Sequence, residues 1–170
     1  PISTARRAAG FDMKVLYTSS KDNVVLDTTM ARRVELDTLL RESDFVSIHV
    51  ALTPQTRHLI GPRELALMKH TAFLINTARG PIIDEAALVQ ALRERRIAGA
   101  GLDVYEHEPV PAPGLVELDN VVCIPHLGSA TLATRSRMAV MAAANLIAAL
   151  KGEIPPNLVN PDALKTRGAT

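Results

Sequence analysis

The chain has 170 residues, enough for one domain with a sizeable core and too few for two large ones. Hydrophobic residues make up 47% of it and aromatics only 3%, so it is no disordered tail, and Ala, Val, Leu and Ile must build the core. Nineteen basic against eighteen acidic residues leave a net charge of +1, which provides no field for nucleic acid or an anionic membrane.

In chain order, Ile2–Ala9 reads as a helix ending at Gly10, with no strand ahead of it. Lys14–Tyr17 reads as a strand, Glu35–Glu42 as a helix, and Phe45–Val50 as the next strand. Pro62–Met68 is a short helix with proline at its permitted first-turn position, and Ala72–Ile75 a strand. Asp84–Arg95 is a helix capped by Asp84, followed by strands at Ala100–Val104 and Val121–Ile124 and a long, mostly apolar helix at Ala130–Leu150. That last helix, with its apolar part Met138–Leu150 interrupted by Asn145, is too short a run for a membrane span. No secretory leader is legible at the start. The single cysteine, Cys123, lies in the apolar run Val121–Ile124, excludes an internal disulfide framework and suits a reducing cytoplasm.

Strands alternating with helices imply parallel pairing through right-handed crossovers, hence an α/β fold with a doubly wound parallel sheet. Such sheets bind ligands beyond the carboxyl ends of their strands. The strand ends here are Ser19-Ser20-Lys21, Ala51-Leu52-Thr53, Asn76–Gly80, Asp103–Glu108 and His126-Leu127-Gly128, and their polar, glycine-rich character is the first sign of function.

Arg79 offers a two-pronged donor suited to a carboxylate and an adjacent carbonyl oxygen. His126, after Pro125 and before Gly128-Ser129, is placed to act as a general acid or base. A carboxylate beside that imidazole would favour its charged form, and Glu106 and Glu108 both qualify, since spacing does not separate them. His49, His58, His70 and His107 read as structural or solvated, His49 least clearly because it closes a strand near the crevice. No metal site is expected. Ser19-Ser20-Lys21 lacks an acidic residue to accept the ribose 2′-hydroxyl of NAD, and its hydroxyls and cation suit the 2′-phosphate of NADP, so NADP(H) is expected over NAD(H).

Taken together, Leu74–Gly80 with Asp84-Glu85 and Ala87-Leu88 behind it, Gly99–Val104 through Glu108-Pro109, and Pro125–Thr131 resemble the D-isomer-specific 2-hydroxyacid dehydrogenases. The resemblance runs from about Thr4 to Pro161, and His107-Glu108-Pro109 with Asn157–Pro161 is most similar to the glyoxylate and hydroxypyruvate reductases. It implies a Rossmann-like NAD(P)-binding domain over residues 1–150 and a C-terminal segment over 151–170 that returns toward a substrate domain. It implies Arg79, Glu108 (not Glu106) and His126 as the catalytic set. It also implies cofactor contacts at Ser19, Ser20, Lys21, Val50, Leu52, Thr56, Thr77, Ala78, Arg79, Asp103, His126 and Gly128. The activity implied is reduction of a small 2-oxo acid, in a cytoplasmic homodimer that binds neither nucleic acid nor membrane. The family's Gly-x-Gly-x-x-Gly turn has no counterpart in these residues, so the fold is expected to be truncated at its N-terminus, with apolar surface and two strand edges exposed. On that ground the alternative is a catalytically silent association or scaffold module of the same fold.

Overall fold

The computed structural model describes residues 2–19 and 31–164, in two compact units, Pro1–His126 and Leu127–Thr170. The first unit opens with helix α1 (Ile2–Ala9) and two short parallel strands, β1 (Leu16–Tyr17) and β2 (Arg32–Arg33), paired through Leu16 with Arg32 and Tyr17 with Arg33. Then come α2 (Leu36–Glu42), β3 (Phe45–Ile48), α3 (Pro62–Leu67), β4 (Phe73–Asn76), a 3-10 turn (Gly80–Ile82), α4 (Glu85–Arg93), β5 (Gly99–Leu102) and β6 (Val121–Cys123). Strands β3-β4-β5-β6 form a four-stranded, wholly parallel sheet in that order.

Alternation along the strands decides which face is dry. Val46, Ile48, Leu74, Ala100 and Leu102 are buried against Leu40 of α2, Leu65 of α3 and Leu88 and Leu92 of α4, forming one core. At about 25 cal/mol per Å², each buried Val, Ile or Leu among them contributes roughly 1.5–3 kcal/mol to holding helices and sheet together. On the opposite face Phe45, Phe73 and Val122 remain exposed, the two rings stacked at 5.7 Å between centroids. The expected parallel α/β fold is present, but the described strands form two sheets: β1 pairs only with β2, and β3 only with β4.

The sequence places most elements within a residue or two of these bounds, and the Asp84 carboxylate caps α4 by accepting the Ala87 N–H at 3.0 Å. Strand ends are shorter than expected, because Val50, Val104 and Ile124 have already left the ladder to become loop. Strand β2 is not legible in the sequence, since two exposed arginines carry no alternation.

The second unit comprises helix α5 (Leu132–Leu150) and the C-terminal segment beyond it. Thr131 caps the helix by accepting the Thr134 N–H at 3.2 Å. Asn145, which interrupts its apolar run, accepts the Asn157 N–H at 3.0 Å and ties the C-terminal segment to the helix. No helix of the described residues is long and apolar enough to cross a membrane.

Candidate active site

The strand order brings the carboxyl ends of β3, β4 and β5 side by side, and a crevice of about 570 Å³ opens there. Its lining is His49, Val50, Ala51 and Leu52 from the end of β3, and Thr77, Ala78 and Arg79 from the end of β4. The turn carrying Arg79 is built around Asn76, which is wholly buried. Its side-chain oxygen accepts the Ala78 N–H at 3.0 Å and its amide donates to the Arg79 carbonyl at 3.0 Å. A buried amide with both ends satisfied is stable where an unsatisfied one is costly, so Asn76 sets the direction in which Arg79 leaves the sheet.

Gly80, next to Arg79, lies directly against the following loop. A Cβ there would sit 1.9 Å from the carbonyl carbon and oxygen of Tyr105 and 2.5 Å from the Glu106 nitrogen. Only glycine allows the Arg79 turn and the loop after β5 to approach so closely.

That loop separates the two carboxylates that spacing leaves equivalent. Glu108 reaches His126, with Oε2 3.0 Å from Nδ1, while Oε1 accepts the Tyr105 N–H at 3.3 Å. Glu106 turns the other way, to His58 Nε2 at 2.6 Å and Arg57 Nη2 at 3.1 Å. The hydrogen bond with His126 holds the Glu108 carboxyl below its ordinary value, outweighing partial burial, and the His126 and Arg79 charges add to the effect. Glu108, in the loop after β5, thus feels both His126, through the hydrogen bond, and the charge of Arg79 at the end of β4. Because an ionised carboxylate only accepts, Nδ1 of His126 is the donor in this pair, and Nε2 is left to exchange a proton.

His126 itself has φ +53. This left-handed conformation costs a residue other than glycine roughly 1–2 kcal/mol, so the surrounding structure must hold it. Part of that hold is Tyr105, whose hydroxyl donates to the Ile124 carbonyl at 2.9 Å and joins the Glu108 loop to the segment just before His126. Burial pushes the Tyr105 hydroxyl above its ordinary value, so it keeps the proton it donates.

The remaining expected contacts fall into separate groups. Val50, Leu52, Thr77 and Ala78 line the crevice. Thr56 spends its hydroxyl inside the neighbouring loop, donating to the Ala51 carbonyl at 2.7 Å and accepting the Thr53 N–H at 2.8 Å, so it shapes the crevice wall. Asp103 is buried at the end of β5, where its N–H donates to the Asn76 carbonyl at 3.0 Å. Ser19 lies just past β1, its carbonyl accepting Arg33 Nη2 at 2.9 Å. Ser20 and Lys21 lie outside the described residues, and Gly128 belongs to the second unit. Among the described residues, no group of three or more His, Cys, Asp or Glu could hold a metal ion.

Two residues outside the expected set stand at these strand ends. His49 lines the crevice, hydrogen-bonded to the Ser47 hydroxyl at 3.0 Å, and burial lowers its imidazole below the ordinary value. Its position closing a strand is the signal the sequence offers. Arg33 brings a guanidinium to the end of β1, which only the β1–β2 pairing reveals. His58 has φ +51 and is anchored to Glu106, and His70 lies against Arg96, so both serve structure. Cys123 is half-buried against the core.

Comparison with known proteins gives the family. Residues 2–128 match the family model for the D-isomer specific 2-hydroxyacid dehydrogenase, NAD binding domain. The chain is 53% identical over 169 residues to a glyoxylate reductase of Thermofilum pendens, a match covering 98% of this chain and 50% of that protein. A solved glyoxylate reductase from Paecilomyes thermophila superposes with a TM-score of 0.77 at 42% identity, over 88% of this chain and 46% of that one. D-lactate dehydrogenase with NAD+ from Lactobacillus jensenii gives a TM-score of 0.82 at 31% identity, over 94% and 52% respectively. The chain therefore spans about half the length of the relatives it matches, 50% in the first case. With its parallel sheet, its strand-end crevice and this match, the chain belongs to the D-isomer-specific 2-hydroxyacid dehydrogenases and carries their NAD-binding domain.

Proposed function

We propose that the protein is a reductase of small 2-oxo acids, taking glyoxylate or hydroxypyruvate to the corresponding hydroxy acid, with NADPH preferred over NADH. The observation that carries this reading is the 3.0 Å contact between Glu108 Oε2 and His126 Nδ1, in electrostatic range of Arg79. Similarity to glyoxylate reductases points the same way on substrate class.

A nicotinamide dinucleotide fits the residues available. The crevice is lined by small side chains, Ala51 and Ala78, and by the Thr77 hydroxyl, which allow a flat ring to lie close to the backbone. Val50, Leu52, Thr77, Ala78 and Asp103 would hold the dinucleotide, with Thr56 shaping the wall and Ser19, Ser20 and Lys21 at the adenosine ribose. The 2′-phosphate preference rests on the hydroxyls and cation of Ser19-Ser20-Lys21, and Arg33 beside Ser19 adds a second cation. When bound, the dinucleotide supplies the hydride.

The chain's own residues do the rest. Arg79 binds the substrate carboxylate in a bidentate grip and orients its carbonyl. His126 carries the proton on Nε2 and gives it to the carbonyl oxygen, becoming neutral as that oxygen becomes a hydroxyl. Glu108, ionised, keeps the ring in register by accepting from Nδ1, which leaves Nε2 facing the transfer. In the reverse direction the same Nε2 accepts the hydroxyl proton. Assembly as a cytoplasmic homodimer belongs to this reading and rests on the family's usual habit and on the lone thiol of Cys123. Sedimentation of the purified protein tests the dimer.

The test of function is steady-state kinetics of the protein in its full encoded length with glyoxylate and hydroxypyruvate, using each cofactor in turn. Turnover with a higher kcat/KM for NADPH is expected. No reduction of either acid sinks the activity, and a preference for NADH sinks the role given to Ser19-Ser20-Lys21 while leaving the activity standing.

A further inference from the structure

Behind the proposed catalytic pair lies a second pair of glutamates that the chemistry does not use. Glu85, the first residue of α4, is 5% exposed and spends its carboxylate wholly on the loop after β5. One oxygen accepts the Glu106 N–H at 2.7 Å and the other accepts the Ala112 N–H at 3.0 Å. Glu106 returns the contact, its Oε2 accepting the Glu85 N–H at 3.3 Å, while its Oε1 takes His58 and Arg57. Burial pushes the Glu106 carboxyl up, but the hydrogen bonds from His58 and the Glu85 amide and the charges of His58 and Arg57 outweigh it, leaving it below its ordinary value. His58 in turn donates its N–H to the Pro81 carbonyl at 2.9 Å, in the turn that follows Arg79.

We propose that Glu85 and Glu106 are positioning residues that pin both ends of the Glu106–Ala112 loop and so set Glu108 against His126. Glu108 stands between the two N–H groups that Glu85 holds, and has little room to drift while both are held. The two N–H donors meet separate oxygens of one carboxylate, and a side-chain amide would offer an acceptor to only one of those two directions. The inference rests on the reading above for what the Glu108–His126 pair does, but not for whether the loop is held.

Glu85→Gln removes one acceptor and sets an amide NH2 against a backbone N–H, so the loop must move at one end. The double variant Arg57→Ala, His58→Asn loosens Glu106 from the solvent side, and asparagine tolerates the left-handed backbone at position 58. Leu92→Ala, in the core of α4, serves as a destabilised control that leaves the clamp intact. In the protein at full encoded length, carbon-13 NMR follows the Glu108 carboxyl titration, and the acid limb of the kcat/KM profile for glyoxylate is measured alongside. Both glutamate-clamp perturbations are expected to move the Glu108 titration up toward the ordinary carboxylate range and the acid limb with it. A displacement near 1 Å should lower kcat up to about 100-fold. Leu92→Ala should leave both in place. A Glu108 titration unchanged from wild type in the folded variants overturns the proposal, and the double variant decides alone if Glu85→Gln does not fold. Should the wild type turn over neither acid, the titration still decides the positioning, so the two readings fail separately.

Discussion

Replacing Gly80 with alanine tests the contact that joins the Arg79 turn to the Glu108 loop. The added Cβ would stand 1.9 Å from Tyr105 backbone atoms, whereas real Cβ contacts essentially never fall under 3.0 Å. The two segments must therefore separate by about 1 Å, a misplacement that can cost on the order of 100-fold in rate. Neither side yields easily. Tyr105 is buried and tied to the Ile124 carbonyl, and the Arg79 turn is tied to Asn76. The overpacking should cost about 1–3 kcal/mol, which for a chain of this size lowers the Tm by roughly 2–12 °C. The separation also carries Glu108 away from His126, because Oε1 of Glu108 accepts the Tyr105 N–H in the very segment that must move. Scanning calorimetry gives the stability loss, and steady-state reduction of glyoxylate gives the rate. A Gly80→Ala protein with wild-type Tm and wild-type kcat/KM would refute the close approach and the coupling drawn from it.

Other perturbations separate the remaining links. Asn76→Ala removes two part-buried hydrogen bonds, to the Ala78 N–H and the Arg79 carbonyl, so at roughly 0.5–1.5 kcal/mol each unfolding in denaturant should read a loss of about 1–3 kcal/mol, accompanied by a raised KM for the oxo acid as Arg79 loses its direction. Glu108→Gln keeps the shape but not the charge beside His126, and general acid–base catalysis of this kind is worth about 100–10,000-fold, so kcat should fall within that range while cofactor binding, followed by fluorescence quenching, is retained. The carboxyls of Glu106 and Glu108 both lie below their ordinary value when folded, so their contribution to stability is fully present above the unfolded carboxylate range and is lost as pH falls through the depressed folded values. An acid titration of the Tm should therefore drop steeply below the usual carboxylate range, and less steeply in Glu106→Gln.

Much of this is legible in the residues themselves. Apolar runs bounded by polar strand ends mark β3 to β6, and Asp84 ahead of an amphipathic stretch marks α4, because local periodicity and capping act within a few residues of one another. The ends of parallel strands gather on one edge of a sheet, so position and chemistry mark Arg79 and His126 as candidates without any coordinates. Strand β2 cannot, because the pairing of Arg32 and Arg33 with Leu16 and Tyr17 is a non-local event with no local pattern behind it. His49 is ambiguous for a similar reason: whether a strand-end imidazole faces the crevice or the solvent depends on its neighbours in space.

The choice between Glu106 and Glu108 marks the boundary most clearly. Strand order alone brings the loop after β5, with its two glutamates, to the same sheet edge as His126. In an irregular loop, spacing says nothing of direction, and residues two apart face opposite ways here only because distant groups hold the backbone. Gly80 lets the Arg79 turn press on the Tyr105–Glu106 peptide, Glu85 grips the Glu106 and Ala112 amides, and His58 and Arg57 draw Glu106 aside. Those contacts join segments more than twenty residues apart, and only the folded chain brings them together.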